Sequence, residues 1–321
     1  MKLLVTGGAG FIGSHLCDAL IKRGDEVTII DDLSTGRLEN LSGVLTHENF
    51  HLAIESISNE IVMDRLVFEC DAIFHLAAAV GVELIINEPV EVIQRNIIGS
   101  DVVLRLANRY KKKVFVASTS EIYGKNEKVP FNETDDRLLG PTTKSRWSYS
   151  CSKAIDEFLA LAYHKEKQLP IIIGRFFNTI GPRQTGQYGM VVPRFVGQAL
   201  KGEDITVYGD GNQSRCFTYV GDVVQAIVDL LEEPKSVGEI FNIGGDFEIT
   251  INDLAKKVIE VTGSSSKIKY VPYDEAYESG FEDMRRRIPD LTKIKNFINY
   301  SPNTNIEEIL KLIAADLRGS I

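Results

Sequence analysis

Apolar residues fall along this chain in two alternating patterns. Unbroken apolar runs at 2–6, 27–30, 72–78, 113–118, 169–175 and 239–245 show no polar alternation, as expected of strands covered on both faces. Between them apolar positions recur every three or four residues. The first such stretch runs through Leu16, Ala19, Leu20 and Ile21 and stops at Arg23-Gly24; others cover 97–110, 151–168, 217–232 and 250–261. Strand and helix in alternation predict an α/β chain, a doubly wound parallel sheet.

Composition narrows the class. With 321 residues, 44% hydrophobic and 25% charged, the chain has the make-up of a globular protein of one or two domains, and its net charge of −9 argues against broad binding to nucleic acid or an anionic membrane. Cys17, Cys70, Cys151 and Cys216 lie far apart without metal-ligand spacing, so the expectation is reduced thiols, no metal and a cytoplasmic location. The N-terminus has too short an apolar run for a signal peptide, and no run of about 18 apolar residues occurs elsewhere. Repeats and low-complexity tracts are absent from the sequence.

Three clusters carry candidate chemistry. The first strand ends in Gly7-Gly8-Ala9-Gly10-Phe11-Ile12-Gly13, small residues that let a helix N-terminus approach a pyrophosphate, and Asp31 ends the next strand where a ribose hydroxyl would be read. An acid there repels a 2′-phosphate, which favours NAD over NADP; Arg37 is the nearby cation that argues the other way. If a helix follows Pro141, Tyr149 and Lys153 share one face, and a cation beside a phenol favours the phenolate. Lowering a free Tyr by roughly three pH units requires about 4 kcal/mol. Thr119, Ser120 and Glu121 follow the fifth strand at its carboxyl end, where ligands bind in open sheets. By themselves the same residues also read as a turn, two ordinary helix residues and a solvated acid.

The Gly-x-x-Gly-x-x-Gly spacing, with Thr119, Tyr149 and Lys153 in that order, resembles the extended short-chain dehydrogenase/reductase family over nearly the whole chain. The resemblance implies a Rossmann-type cofactor domain (1–176 plus 217–243) interleaved with a smaller α/β C-terminal substrate domain (177–216 plus 244–321). It implies NAD contacts from Gly7, Gly10, Phe11, Ile12, Gly13, Asp31, Asp32, Ser34, Gly36, Leu76, Ala77, Ala78, Asn96, Tyr149, Lys153 and Phe176. Residues 43–70 depart from the pattern, since the acid that succeeds the third strand near the adenine has no clear counterpart. His75, in an apolar strand, reads as a satisfied core histidine. The mechanism implied has Tyr149 taking the proton of a sugar hydroxyl whose carbon yields hydride to NAD, with Lys153 holding the phenolate and Thr119 orienting the hydroxyl.

Neighbouring residues bear on the fate of the oxidised sugar. Ser120 stands where 4,6-dehydratases of the family carry an acid, which argues against dehydration. Thr-Ser-Glu before Tyr123-Gly124, and Arg146-Trp147-Ser148-Tyr149-Ser150, resemble the UDP-glucuronate decarboxylases of the family; 4-epimerases share the remaining motifs and stay as the alternative. On this resemblance Glu121 positions the sugar and protonates an enolate. Asn178, Val191, Tyr208, Gln213, Arg215 and Arg287 contact a UDP-sugar, with Tyr208 against the base. Without it, Tyr208-Gly209-Asp210-Gly211 is a strand and hairpin turn and Arg285–Arg287 a solvated basic face. The helices at 97–110 and 151–168 resemble a family dimer interface, implying a homodimer. A silent NAD-binding regulator on the same fold is a further alternative, since fold does not fix activity.

Overall fold

The unbroken apolar runs form the middle of a seven-stranded sheet in the computed structural model, which describes residues 1–81, 87–186, 190–276 and 284–320. Numbered in chain order, its strands are β1 (Lys2–Thr6), β2 (Glu26–Asp31), β3 (Phe50–Ile54), β4 (Ala72–His75), β5 (Lys113–Thr119), β6 (Ile171–Phe176) and β11 (Ile240–Ile243). They lie in the order β11-β6-β5-β4-β1-β2-β3, and every pairing is parallel. The order reverses between β1 and β4, which opens a crevice at their carboxyl ends.

Helices cover both faces, which is why the strands lack polar alternation. Ile172 faces a core shared with α1 (Phe11–Arg23) and α6 (Val220–Glu232), while Ile171 and Ile173 face a second core shared with α2 (Glu60–Glu69), α3 (Pro89–Tyr110) and α4 (Arg146–Lys167). All three are fully buried, each contributing roughly 1.5–3 kcal/mol. Helix α1 ends as expected: Gly24 takes φ 92°, and its N–H closes the last turn. Residues 43–70, which the sequence left without a pattern, hold β3 and α2, the latter capped by the Asn59 side chain.

A third core gathers α5 (Val191–Lys201), α7 (Ile251–Thr262) and α10 (Ile306–Ser320) with β8 (Ile205–Tyr208). The hairpin reading of Tyr208–Gly211 does not hold. β8 pairs in parallel with β13 (Ile268–Val271), and β9 (Ser214–Cys216) pairs antiparallel with β12 (Glu248–Thr250), so the glycines turn the chain between two separate ribbons. β7 (Thr179–Ile180) and β10 (Thr218–Tyr219) make a third ribbon. The remaining helices are the short α8 (Tyr273–Ala276) and α9 (Thr292–Ile298).

Candidate active site

The glycine turn folds tightly on itself and on β4. A Cβ on Gly13 would lie 2.2 Å from the Gly7 carbonyl oxygen, and one on Gly7, at φ +73°, 2.8 Å from Ala77 Cα. Gly10 caps α1 without a side chain, so the first-turn amides face the crevice and suit an anion. Asp31 is buried behind the turn, its two oxygens accepting the N–H groups of Ala9 and Leu33, both at 2.9 Å. Burial raises its pKa, and those two bonds work against the rise. Next to it, Arg95 of α3 donates to Ser34 Oγ (2.8 Å) and Asp32 Oδ2 (3.2 Å), a tie the sequence did not suggest.

At the end of β4, the Ala77 N–H donates to Thr6 Oγ1, which meets His75 Nδ1 at 2.8 Å; His75 Nε2 meets Ser100 Oγ at 3.1 Å. His75 is thus a satisfied core histidine. Burial, then the charge of Lys153, lowers its pKa to about 3. Asn96 is likewise engaged in structure, bonding the Ala79 N–H at 2.8 Å and Ser152 Oγ at 3.3 Å.

One cavity of about 1060 Å³ runs over the glycine turn and the ends of β1, β2, β4, β5 and β6. Of the residues assigned to the cofactor, Gly7, Gly10, Phe11, Ile12, Gly13, Asp31, Asp32, Ser34, Leu76, Ala77, Ala78, Tyr149, Lys153 and Phe176 line it. Gly36 and Asn96 are not part of its wall. Gly36 packs against the Asp31 carboxylate, and Asn96 faces the segment after β4 from behind.

At the carboxyl end of β5 the chain enters a short 3-10 turn, Ser120–Tyr123, with Thr119 Oγ1 accepting the Glu121 N–H at 3.2 Å. The Thr119 side chain also acts on the Tyr149 phenol, in the direction that favours the phenolate. Glu121 sits between two arginines, one buried and one half-buried: Arg287 Nη2 lies 2.6 Å from Oε1, and Arg146 Nη2 3.4 Å from Oε2. The basic run 285–287 therefore divides. Arg286 makes an exposed two-pronged pair with Glu248 at 2.8 Å, whereas Arg287 is buried in the site.

Tyr149 differs from the sequence expectation. Its phenol is raised rather than lowered, by burial first and then by the charges of Glu121 and Asp156, with Thr119 and Arg287 acting the other way. Lys153 donates instead to Asp156 Oδ2 at 2.7 Å, because the helix face that holds the pair continues one turn to an acid. That i, i+4, i+7 spacing was a signal present in the sequence.

The substrate candidates Asn178, Val191, Tyr208, Gln213, Arg215 and Arg287 line the far end of the same cavity, together with Thr119, Ser120 and Glu121. Arg215 is buried and donates to the carbonyls of Ser214 (2.8 Å) and Met284 (2.9 Å). Gln213 donates to the Tyr208 carbonyl and to the Tyr273 hydroxyl. The Arg194 guanidinium lies 3.8 Å from the Tyr208 ring centroid and covers one face of it. Arg194, three residues after the substrate candidate Val191, and Tyr273 also line the cavity. Under the site, Arg175 of β6 donates to both oxygens of Glu157 of α4, at 2.9 and 2.8 Å, which fixes the catalytic helix against the sheet.

A parallel sheet with a glycine turn at its switch point, and a Thr-Tyr-Lys set across the crevice, define an extended short-chain dehydrogenase/reductase, and the chain belongs to that family's nucleotide-sugar group. The family model described as GDP-mannose 4,6 dehydratase matches residues 4–313. The chain is 46% identical to a UDP-N-acetyl-alpha-D-glucosaminuronate decarboxylase of Bacillus cytotoxicus, over 97% of this chain and 95% of that protein. It is 38% identical to UDP-glucuronic acid decarboxylase 1 of Arabidopsis thaliana, over 100% of this chain and 71% of that protein. Among solved structures, a UDP-glucose 4-epimerase of Thermotoga maritima with UDP-glucose superposes with a TM-score of 0.89 at 36% identity, covering 100% of this chain and 99% of that one.

Proposed function

We propose that this chain is an NAD-dependent decarboxylase of UDP-hexuronates, working through a 4-keto sugar. The observation that carries the reading is the Glu121 carboxylate held between Arg287 and Arg146 beside Tyr149. The three charged groups sum to one positive charge in a buried site, which suits a substrate that carries its own carboxylate. Ser120, in the place of a dehydratase acid, leaves no acid there to expel a hydroxyl. The match to a decarboxylase over almost the full length of both chains points the same way.

Bound NAD supplies a reversible hydride acceptor at C4. Tyr149 takes the O4 proton, Thr119 orients that hydroxyl, and Lys153, one turn on, supplies the ammonium beside them. The resulting sugar is a β-keto acid. Its C5–C6 bond breaks to release CO2, the electron pair passing into a C4–C5 enolate, and a proton from solvent, relayed at the Glu121 carboxylate directly or through a water, is delivered to C5. Tyr149 then returns its proton to O4 as the C4 carbonyl is reduced.

Uridine and the diphosphate fall to Asn178, Val191, Tyr208, Gln213 and Arg215, and the NAD contacts to the glycine turn, Asp31, Asp32, Ser34, Leu76, Ala77, Ala78 and Phe176, with Gly36 and Asn96 supporting that wall from outside it. In this reading residues 1–176 with 217–243 hold the cofactor, and 177–216 with 244–321 hold the nucleotide sugar. Ile98, Ile155 and Phe158, exposed on α3 and α4, support a homodimer through those helices; sedimentation as a monomer would refute it. Four unbridged cysteines, with Cys151 exposed, support a reducing, cytoplasmic setting. No helix among the described residues is long and apolar enough to cross a membrane.

NMR of UDP-glucuronate and of its 2-acetamido analogue with the protein and NAD tests the reading. CO2 and a UDP-pentose are expected from at least one of them, and Tyr149→Phe should abolish both products. Conversion of UDP-glucuronate to UDP-galacturonate alone, or of UDP-glucose to UDP-galactose, would instead establish the 4-epimerase, the reading favoured by the likeness to the Thermotoga enzyme.

A further inference from the structure

On α4, Tyr149, Lys153 and Asp156 occur at i, i+4 and i+7 and so share one face over two turns. Lys153 stands between the other two, and its four-carbon stem gives the ammonium reach toward either. It donates to Asp156 Oδ2 at 2.7 Å, with the two side chains 3% and 1% exposed. The second oxygen of that carboxylate, Oδ1, is also buried and has no hydrogen-bond partner among the described residues. Buried carboxylates ordinarily satisfy both oxygens. Here an acid with one bare oxygen draws on the same ammonium that a phenolate at Tyr149 needs.

We propose that Asp156 is a positioning residue for the hydride-transfer site, competing with Tyr149 and a cofactor ribose for the Lys153 ammonium and thereby setting the pH at which the phenol gives up its proton. The proposal rests on Tyr149 and Lys153 serving a bound NAD, but not on which sugar is oxidised or on the fate of the ketone.

The charges around the phenol allow the contribution of Asp156 to be isolated. Glu121 faces it from the turn after β5 and Arg287 from the C-terminal segment, with Arg146 one turn earlier on α4 holding Glu121, while the Thr119 side chain favours the phenolate. His75, on β4, faces Lys153 and is uncharged at neutral pH. Asn96, from α3, meets this part of the helix through Ser152 and carries no charge. Of these groups, Glu121 and Asp156 both oppose phenolate formation, but Glu121 is itself clamped by two arginines. Replacing Asp156 by a neutral acceptor leaves that clamp and Thr119 in place.

The experiment is an ultraviolet tyrosinate titration of the NAD-loaded protein, with Tyr149→Phe subtracted to isolate one of the 11 tyrosines. Asp156→Asn is expected to bring the Tyr149 transition down by about one pH unit, the scale of removing one nearby like charge. Asp156→Glu, which keeps the charge, should titrate close to the parent. NAD should also bind Asp156→Asn more tightly, since the ammonium no longer has to leave a carboxylate. If the Asn variant fails to fold by circular dichroism, Asp156→Ser supplies the same neutral comparison. A merely structural Asp156 would change the melting temperature and leave the transition in place; an unmoved or raised transition, or weaker NAD binding, overturns the proposal. Failure to decarboxylate any UDP-hexuronate would leave this titration intact and bear only on the proposed function.

Discussion

Arg175→Met tests the account of what holds the catalytic helix. The guanidinium is 6% exposed; besides Glu157 it donates to the Tyr123 hydroxyl and the Glu133 carbonyl, both at 2.9 Å. Methionine keeps much of the length and none of the charge. Glu157, 4% exposed, retains the bond from the Ser118 hydroxyl but loses its cation. Stripping one partner from a buried pair costs about 3–5 kcal/mol, out of a total stability of about 5–15 kcal/mol. At roughly 2–4 °C per kcal/mol in large domains, the melting midpoint should fall by roughly 6–20 °C. Melting has to be followed at one fixed NAD concentration, because bound ligand adds its own stability. The discriminating comparison is the double variant Arg175→Met/Glu157→Leu, which loses the same bonds to Tyr123 and Glu133 but buries no unpaired charge. It should be more stable than the single variant. A double variant no more stable than Arg175→Met, or a single variant costing under about 1 kcal/mol in urea unfolding, would refute the buried-pair argument.

Three further outcomes test the site. Gly13→Ala would place a methyl 2.2 Å from the Gly7 carbonyl oxygen and 2.8 Å from Gly8 Cα, both backbone atoms, so the turn must open; overpacking of about 1–3 kcal/mol predicts NAD binding weakened roughly 10- to 100-fold by calorimetry, and unchanged binding would show that the turn does not hold the cofactor. Asp31→Ala removes a charge-assisted bond of about 1.5–3 kcal/mol, so NAD should weaken at least roughly tenfold while NADP, no longer repelled, does not; equal losses for both would end the assignment of Asp31 to the ribose. His75 has a folded pKa near 3, below its ordinary value, so between about pH 6.5 and 3 the unfolded chain binds a proton that the native chain refuses, and stability falls as pH falls through that window, by at most about 1.4 kcal/mol per unit. His75→Gln should flatten that limb in melting curves run from pH 6.5 to 4.5, and parallel limbs would refute the assignment.

Much of the site was legible because it depends on local order. Unbroken apolar runs specify strands buried on both faces, and three glycines at spacing three give a turn where backbone packs on backbone. Ile171, Ile172 and Ile173 needed no partner to be read as core. Less legible was the substrate side. The hairpin that Tyr208–Gly211 offers without the resemblance does not form, because β8 finds its partner in β13, some sixty residues on, and turn residues do not specify which strands they separate. Arg194 stacks on Tyr208, and nothing local in the sequence pairs those two side chains.

Residue order alone was enough to specify the sheet, the glycine turn and the acid at the end of β2, since each is set by periodicity or by residues a few positions apart, while the Thr-Tyr-Lys set was read from its resemblance to a known family. The pairing of charges came from the folded chain. Folding brought both Arg146 and Arg287 to Glu121 and sent Arg286 to an exposed pair with Glu248. A formal charge is a property of a residue, but its pairing and its desolvation belong to the fold, because both depend on distances and burial between segments far apart in the chain.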